Sequence, residues 1–449
     1  MTLATTPPYD GDAPGAVGQR AVVVGGSIAG LIAARVLADA FERVVVVERD
    51  PLPSEPVARR NVPQADHVHV LLEAGQRTLE DLFPGLTADV RDAGGLQVDV
   101  GRDLAYYDEG GFVTAPDEPP SLLCASRPLL EAVLRRNVAE RPSITLRDRH
   151  RVTDYRTDDA GRRVTGVAAE THAGEKVELD AELVVDATGR TSRTPDWLDD
   201  HGYAPPPVSE VLVDVGYATV TVERPPDDRR GFLVPPSHPR TRGATVVPVE
   251  NDRWTVTLIG VHGDDPPTNP DEFEAYAADL PVPDIAAVLS DRPWIEAAAH
   301  RYPFPANRRR RYEALDRFPD GLVVLGDGVA SVNPIYGQGM TVAALQSLHL
   351  HHALATGGLD DLAARFFDGV GDLVDTVWRL TVGADFQFPQ AEGDRPFGTR
   401  LVNPLLSRLI RTAHTDPVVA THLSNVLMLN EPPTTLARPG ILRRVFLSR

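Results

Sequence analysis

The hexapeptide Gly25-Gly26-Ser27-Ile28-Ala29-Gly30 is the first stretch of this chain whose residue types and spacing suit chemistry. It follows an apolar run, Ala21 to Val24, and opens a stretch with helical spacing, Leu31 to Ala40. Its backbone N–H groups would therefore gather at a helix N-terminus, where positive partial charge holds a phosphate or pyrophosphate. Glycine allows the tight turn and the close approach to an anion. Ser27 stands where the usual fingerprint has another glycine, and it is small enough to substitute while still donating a hydrogen bond. A glycine-rich turn alone is weak. Here Glu48 closes the next apolar run about twenty residues on, where a carboxylate can hold both hydroxyls of a ribose, and Arg49 follows it.

A second cluster begins at Gly326-Asp327, directly after the apolar run Gly321 to Leu325, and continues through Asn333-Pro334-Ile335-Tyr336-Gly337-Gln338-Gly339-Met340 into another helical stretch. A fixed carboxylate such as Asp327 suits a ribityl and phosphate chain. Pro334, Gly337 and Gly339 form a loop suited to lie along a flavin ring. The helix starting there offers positive partial charge to a reduced ring that is negative near N1. No side chain is assigned as a catalytic acid or base. Two clamps so far apart in sequence imply one long cofactor folded across a sheet.

The elements that must position these residues are legible. Arg20 to Asp50 reads as strand, turn, helix and strand, with continuous aliphatic strands of the kind found in parallel sheets buried on both faces. Glu182 to Asp186 and Gly321 to Leu325 read as further core strands. Val211 to Gly260 alternates apolar and polar residues, which predicts antiparallel strands with one wet face, interrupted by Pro205-Pro206-Pro207, Pro225-Pro226 and Pro266-Pro267. Beyond Gly339 the pattern is helical to Leu354, from Leu359 to Val382 and from Leu401 to Leu427.

Composition narrows the rest. A formal charge of -19 speaks against a nucleic-acid groove, and Cys124, the only cysteine, excludes an internal disulfide or thiolate metal cluster. No apolar run reaches the ~18 residues that cross a bilayer, so the expectation is a cytoplasmic protein without stable membrane insertion.

The matching runs Val24 to Gly30, Val46 to Asp50, Val62-Pro63-Gln64, Ala125 to Leu130, Asp186-Ala187-Thr188-Gly189-Arg190 and Gly326 to Met340 make the chain resemble the FAD-dependent aromatic-hydroxylase superfamily. Within it, the polyether epoxidases of the monensin and lasalocid type are most similar. The resemblance implies an α/β fold: a Rossmann-type FAD-binding domain with an inserted antiparallel β-sheet substrate domain and C-terminal helices. It implies a monooxygenase, epoxidase or hydroxylase, that oxidises a hydrophobic polyketide, terpenoid or aromatic molecule with O2 through a flavin C4a-hydroperoxide. It places Glu48 on the adenosine ribose, Arg59 and Arg127 near the phosphates or ribityl chain, Asp327 on the ribityl-pyrophosphate stretch, and Pro334 to Met340 along the isoalloxazine. Many superfamily members carry Ala-Asp-Gly where this chain has Asp186 to Arg190, so the reductant is NAD(P)H bound directly or a separate flavin reductase.

On this reading residues 1–18 are a flexible tail, and residues 19–90, 123–200 and 316–358 are three parts of the FAD-binding domain. Residues 91–122 and 201–315 build the substrate domain, and residues 359–449 form a helical region. The rival readings are a reductase of isoprenoid double bonds, like geranylgeranyl reductases, and a non-catalytic flavin-binding module. A tryptophan-type halogenase lacks its Trp-x-Trp-x-Ile-Pro run here, and Lys176, the only lysine, is misplaced for one. His67 and His69 would share a face on a strand, but two ligands make a thin metal site. Arg308 to Arg311 reads as a solvated face rather than a phosphate dock, and Tyr106, Tyr107, Phe112, Phe232 and Trp254 are candidate pocket walls. The tail Arg438 to Arg449 reads as a frayed end rather than a weak surface anchor.

Overall fold

The aliphatic runs become the strands that carry the site. In a computed structural model, which describes residues 1–447, Gly18–Val24, Phe41–Val47, Ile144–Arg147, Leu183–Asp186 and Leu322–Val324 form one five-stranded parallel sheet. Gly18–Val24 is central, flanked by Leu183–Asp186 and Phe41–Val47, with Leu322–Val324 and Ile144–Arg147 at the edges. Val22, Val23, Val44, Val46, Val184 and Val185 are completely buried, as strands covered on both faces require. Register brings Val24 beside both Val47 and Asp186, and Asp186 beside Val324. The turns that follow these strands therefore leave the same carboxyl edge, where open α/β sheets bind ligands.

A second sheet supplies the opposite wall. Its central strand, Val208–Glu223, pairs antiparallel with Arg253–Val261 on one side and His300–Arg310 on the other. Arg242–Val249 and Gly231–Val234 extend it, and Leu104–Asp108 joins Gly231–Val234 in parallel. The expected wet face is absent here: Trp254 through Val261 are all buried. One face, with Val220, Val256 and Leu258, packs on the helices Pro270–Ala278 and Pro283–Ser290, which the alternation did not announce. The other face, with Val213, Val215, Tyr217 and Ile259, looks into the cavity described below.

The carboxy-terminal helices Gly339–Gly357, Leu362–Asp385, Thr399–Ala413 and Pro417–Leu427 close over both sheets. Neither end of the described chain is loose. Thr2 is buried, and the Leu3 and Ala4 amides donate to the Leu429 and Asn430 carbonyls. Pro439–Leu447 is a helix rather than a frayed end, because Ile441 and Val445, one turn apart, give it an apolar face to bury, and Arg444 pairs with Asp416 at 2.8 Å. The last two positions of that expected tail lie outside the described residues. Among the described residues no helix is long and apolar enough to cross a membrane.

Candidate functional site

The glycine-rich turn sits at the carboxyl edge of the central strand. Gly25 has φ +108°, a conformation that favours glycine, and a Cβ there would meet the Ala187 carbonyl at 2.6 Å. At Gly30 a Cβ would lie 1.8 Å from the Gly25 carbonyl oxygen, so only glycine lets the helix Ile28–Leu37 pack on its own entry turn. The Gly26 amide donates to Glu48 Oε2 at 2.8 Å, and the other oxygen, Oε1, accepts from the Asp50 amide at 3.0 Å. Ser27 occupies the N-cap without capping: its hydroxyl donates to Glu131 Oε2 at 2.8 Å, and the first turn holds no acidic residue. The leading N–H groups of that helix are left for another acceptor. Ile28 is buried beneath the turn, Ala29 lines the cleft, and Arg49 stands at its outer rim, mostly exposed and 3.8 Å from Asp50.

Arg59 and Arg127 reach this turn together, and Glu131 organises them. Arg59 Nη1 lies 3.2 Å from Glu48 and its Nε 2.8 Å from Glu131 Oε1. Arg127 Nη2 donates to Ser27 Oγ at 2.9 Å, and Arg135 lies 3.4 Å from Glu131. All five ionic side chains are buried. Three guanidiniums share Glu131 and Glu48, and the buried Arg59 Nη2 and Arg127 Nε have no hydrogen-bond partner. A group of buried cations left short of acceptors suits a diphosphate. The matching run Ala125 to Leu130 stops one residue short of Glu131, which stands one helical turn beyond Arg127.

Asp327 follows Leu322–Val324 and opens into the cleft beside Gly189. The surrounding protein raises its carboxyl above the ordinary range by burial, against the pull of Arg127 and Arg190. Pro334 to Met340 form a short turn and then the helix Gly339–Gly357, whose N-cap Gln338 makes no side-chain cap and whose first turn holds no acid. Two uncapped helix N-termini thus face one cleft. Gly337 takes φ +65° against Val70, and a Cβ on Gly339 would meet nothing within 4 Å.

A buried carboxylate holds this loop from behind. Asp385, on Leu362–Asp385, accepts from Asn333 Nδ2 at 2.9 Å, from the Tyr336 hydroxyl at 2.9 Å and from Asn307 Nδ2 at 2.8 Å. The Asn307 side-chain oxygen accepts from the Asn333 amide at 2.6 Å, and the Tyr217 hydroxyl donates to Asn333 Oδ1 at 3.0 Å. Burial pushes the Asp385 carboxyl up to about 6. Nothing in the sequence pattern marked it, since Asp385 ends an amphipathic helix like any capping-region acid.

The cleft is one end of a single cavity of about 1130 Å³ that continues between the second sheet and the carboxy-terminal helices. Beyond the ring loop its walls are mostly apolar, including Val213, Val215, Ile259, Leu380, Leu406 and Ile410. Of the expected aromatic walls only Tyr106 lines it. Tyr107, Phe232 and Trp254 pack against the helices on the sheet's other face, and Phe112 is exposed. Tyr217 and Tyr302 line it instead.

His67 and His69 do not share a strand; His67 ends a short turn at Pro63–Asp66. His69 Nε2 lies 3.4 Å from Arg127, whose positive charge disfavours a cation there, and no cluster of three metal-ligating side chains occurs among the described residues. His67 Nδ1 lies 2.7 Å from Thr219 Oγ1, which lies 2.7 Å from Thr257 Oγ1, which accepts from the Val68 amide at 3.3 Å. If each hydroxyl proton is to have an acceptor, Thr257 donates to Thr219 and Thr219 to Nδ1, leaving the proton on Nε2. Nε2 is buried, without a partner, on a residue that lines the cavity. Burial lowers this imidazole to about 4, so it stays neutral at physiological pH.

The arginine run is not a solvated face. Arg309 and Arg310 are buried: Arg309 pairs with Asp375 and Glu313, and Arg310 donates to the Gly328 and Arg190 carbonyls. Adjacent on His300–Arg310, the two side chains leave opposite faces of the strand, and each is covered by neighbouring elements: acids meet Arg309 and backbone carbonyls meet Arg310. Asp186 is likewise structural, accepting from the Thr188 amide and from the hydroxyls of Thr188, Ser192 and Thr194. Lys176 is exposed on the strand Lys176–Asp180, away from the cavity.

The carboxylate after the second strand, the orphaned guanidinium nitrogens and the two uncapped helix ends fit FAD: a ribose, a diphosphate and a ring that gains negative charge. Comparison with known proteins agrees. The family model described as FAD binding domain matches residues 19–357. Protein Rv3254 of Mycobacterium tuberculosis is 36% identical over 417 residues, covering 89% of this chain and 87% of that protein. The p-nitrophenol 4-monooxygenase of Pseudomonas putida superposes with a TM-score of 0.60 at 19% identity, covering 92% of this chain and 99% of that one. A flavin-dependent brominase does so with a TM-score of 0.61 at 16% identity, covering 93% and 96%. At such identities the two structures speak for the fold alone.

Proposed function

Because the chain belongs to the FAD-binding-domain family, we propose that it is an FAD-dependent monooxygenase, an epoxidase or hydroxylase, acting on a hydrophobic small molecule. One observation carries the reading: a single cavity of about 1130 Å³ joins the glycine-rich turn, the ring loop and an apolar chamber. Reduced FAD, when bound, supplies with O2 the oxygen atom that is transferred.

The chain's own residues supply position, charge and dryness. Glu48 would hold the adenosine ribose, Arg59 and Arg127 the diphosphate, and Asp327 the ribityl chain. Pro334 to Met340 would lie along the ring, with the N-terminus of Gly339–Gly357 offsetting its negative charge when reduced. The apolar chamber walls keep water from the reacting centre. His67, neutral and among the residues that line the cavity, is suited to orient an acceptor oxygen that reaches its unpartnered Nε2. The reductant is NAD(P)H bound directly or a separate flavin reductase. The polyether-epoxidase resemblance supports a polyketide or terpenoid substrate over a compact aromatic.

The brominase fold similarity does not favour halogenation, because the only lysine lies outside the cavity. The experiment is to reduce the FAD-loaded protein under nitrogen, admit ¹⁸O2 with an alkene-bearing polyketide or terpenoid, and analyse the product by mass spectrometry. One labelled oxygen per product is expected. A saturated product without O2 uptake would make the protein a double-bond reductase, and a protein that takes up no FAD ends the reading.

A further inference from the structure

Charge and exposed apolar surface are concentrated on one part of this molecule. Residues 395–449 carry eight arginines against Asp416 and Glu431, a net +6, so the remaining chain carries -25 of the total -19. Among the described residues Phe397, Leu401, Val402, Phe446 and Leu447 are half or more exposed, and Phe397 and Leu401 are almost wholly so. Elsewhere large exposed apolar side chains are scattered singly.

These residues form one surface. Leu401, Leu405 and Arg408 follow one another at intervals of four and three on Thr399–Ala413, which puts them on one helical stripe. Arg408 carries that stripe to the last helix: its Nε donates to the Val445 carbonyl at 2.8 Å, and its guanidinium stacks 4.8 Å from the Phe446 ring centre. Arg443, Phe446 and Leu447 lie outward on Pro439–Leu447 while Ile441 and Val445 lie inward. Arg400 and Arg443 are exposed and make no ion pair among the described residues. The same helix Thr399–Ala413 turns Asn403, Leu406, Ser407 and Ile410 into the cavity. The apolar stripe therefore lies on the outside of the chamber wall.

We propose that this surface docks the protein on an anionic lipid bilayer, with the chamber behind the helix that meets the acyl layer. Apolar residues rimmed by arginine are what an interfacial helix presents: Phe and Leu enter the acyl boundary, and guanidiniums meet the headgroup phosphates. A second copy of this chain is a poor occupant, because it would bring two like-charged arginine rims together. An acidic partner protein would satisfy the charge but would also need apolar pockets matched to Phe397 and Leu401, which a bilayer supplies without such matching. The contact goes beyond the oxygenase reading and is independent of it.

The test is flotation of the FAD-loaded full chain with vesicles of phosphatidylcholine containing 30 mol% phosphatidylglycerol, against vesicles of phosphatidylcholine alone. Binding to the anionic vesicles, weakened by salt, is expected. Each arginine near an anionic surface contributes about fivefold. The double variant Arg400→Gln with Arg443→Gln should thus lower partition about thirtyfold. Phe397→Ser with Leu401→Ser should lower it at least tenfold. Both variants should keep the wild-type flavin spectrum and circular dichroism, since the altered side chains are exposed. Absence of flotation, or flotation unchanged in both variants, overturns the proposal. So does a dimer that Phe397→Ser with Leu401→Ser dissociates while vesicle binding persists. Loss of flavin binding in the wild type would instead strike the functional reading and leave the lipid result standing.

Discussion

Asp385 is a buried carboxylate without a cationic partner, and its replacement tests whether it holds the ring loop. It accepts three hydrogen bonds, from Asn307, Asn333 and Tyr336, and burial lifts it to about 6 from an ordinary 3.8. A shift of that size corresponds to about 3 kcal/mol. The folded chain holds a proton that the unfolded chain releases between about pH 4 and 6, so this contribution is fully present below about 4 and lost as pH rises through about 6. Asp385→Asn removes the charge. Its oxygen can keep the bonds from Asn333 and Tyr336, but its amide then meets the Asn307 amide, donor against donor, at a cost of about 1–3 kcal/mol. The gain and the loss nearly cancel at neutral pH. Asp385→Ala leaves three donors unpaired and opens a void, costing about 3–5 kcal/mol. Urea midpoints at pH 4.5 and 7.5, paired with FAD titrations followed by flavin fluorescence, separate the two. We expect Asp385→Asn to sit near wild type at pH 7.5 with a flatter pH dependence. We expect Asp385→Ala to be unstable and to bind FAD at least tenfold more weakly. An unchanged pH dependence in Asp385→Asn, or unchanged FAD affinity in Asp385→Ala, would refute the argument.

The other predictions concern the cofactor end and the cavity wall. Glu131→Gln leaves Arg59, Arg127 and Arg135 facing one another without their shared carboxylate. It should destabilise the apoprotein by about 3–5 kcal/mol, with added FAD recovering part of the loss in a thermal melt. Gly30→Ala should yield no folded protein, because the new methyl would overlap the Gly25 carbonyl. Gly339→Ala should fold as wild type, there being open space at its Cβ, yet bind FAD more weakly in the same fluorescence titration. His67→Phe should keep FAD but lose at least tenfold in kcat/KM, with more of the O2 consumed appearing as hydrogen peroxide, because the Nε2–H donor is gone. A coupled peroxide assay reads that split.

The parallel strands and the glycine turns were legible because each is dictated locally. A strand dry on both faces must be aliphatic throughout, and Gly25, Gly30 and Gly337 stand where a side chain is excluded by a carbonyl or favoured against by a positive φ. The second sheet was legible as strands but not as a buried layer, since alternation reports the pleat and not what covers each face. Thr219 and Thr257 stand at polar positions of that alternation, yet they are buried links to His67. The arginine run misled for the same reason: charge in sequence predicts water, whereas Arg309 and Arg310 find acids and carbonyls across other elements.

What stayed hidden has one physical character. Glu131 and Asp385 are single carboxylates on ordinary helices, and each acquires its role from partners distant in the chain: Arg59 lies on the loop after the second strand, and Asn307 on a strand of the other sheet. A buried carboxylate is tolerable only when several donors converge on it, and convergence is a property of the tertiary structure. The backbone devices of the turns therefore leave a mark in sequence, while the carboxylates that brace them leave none. Bracing residues of this kind are best sought on the helix turns packed behind a recognised loop. In this chain Arg127 leads to Glu131 by that route, one turn along the same helix, and Asn333 leads to Asp385 across the loop it secures.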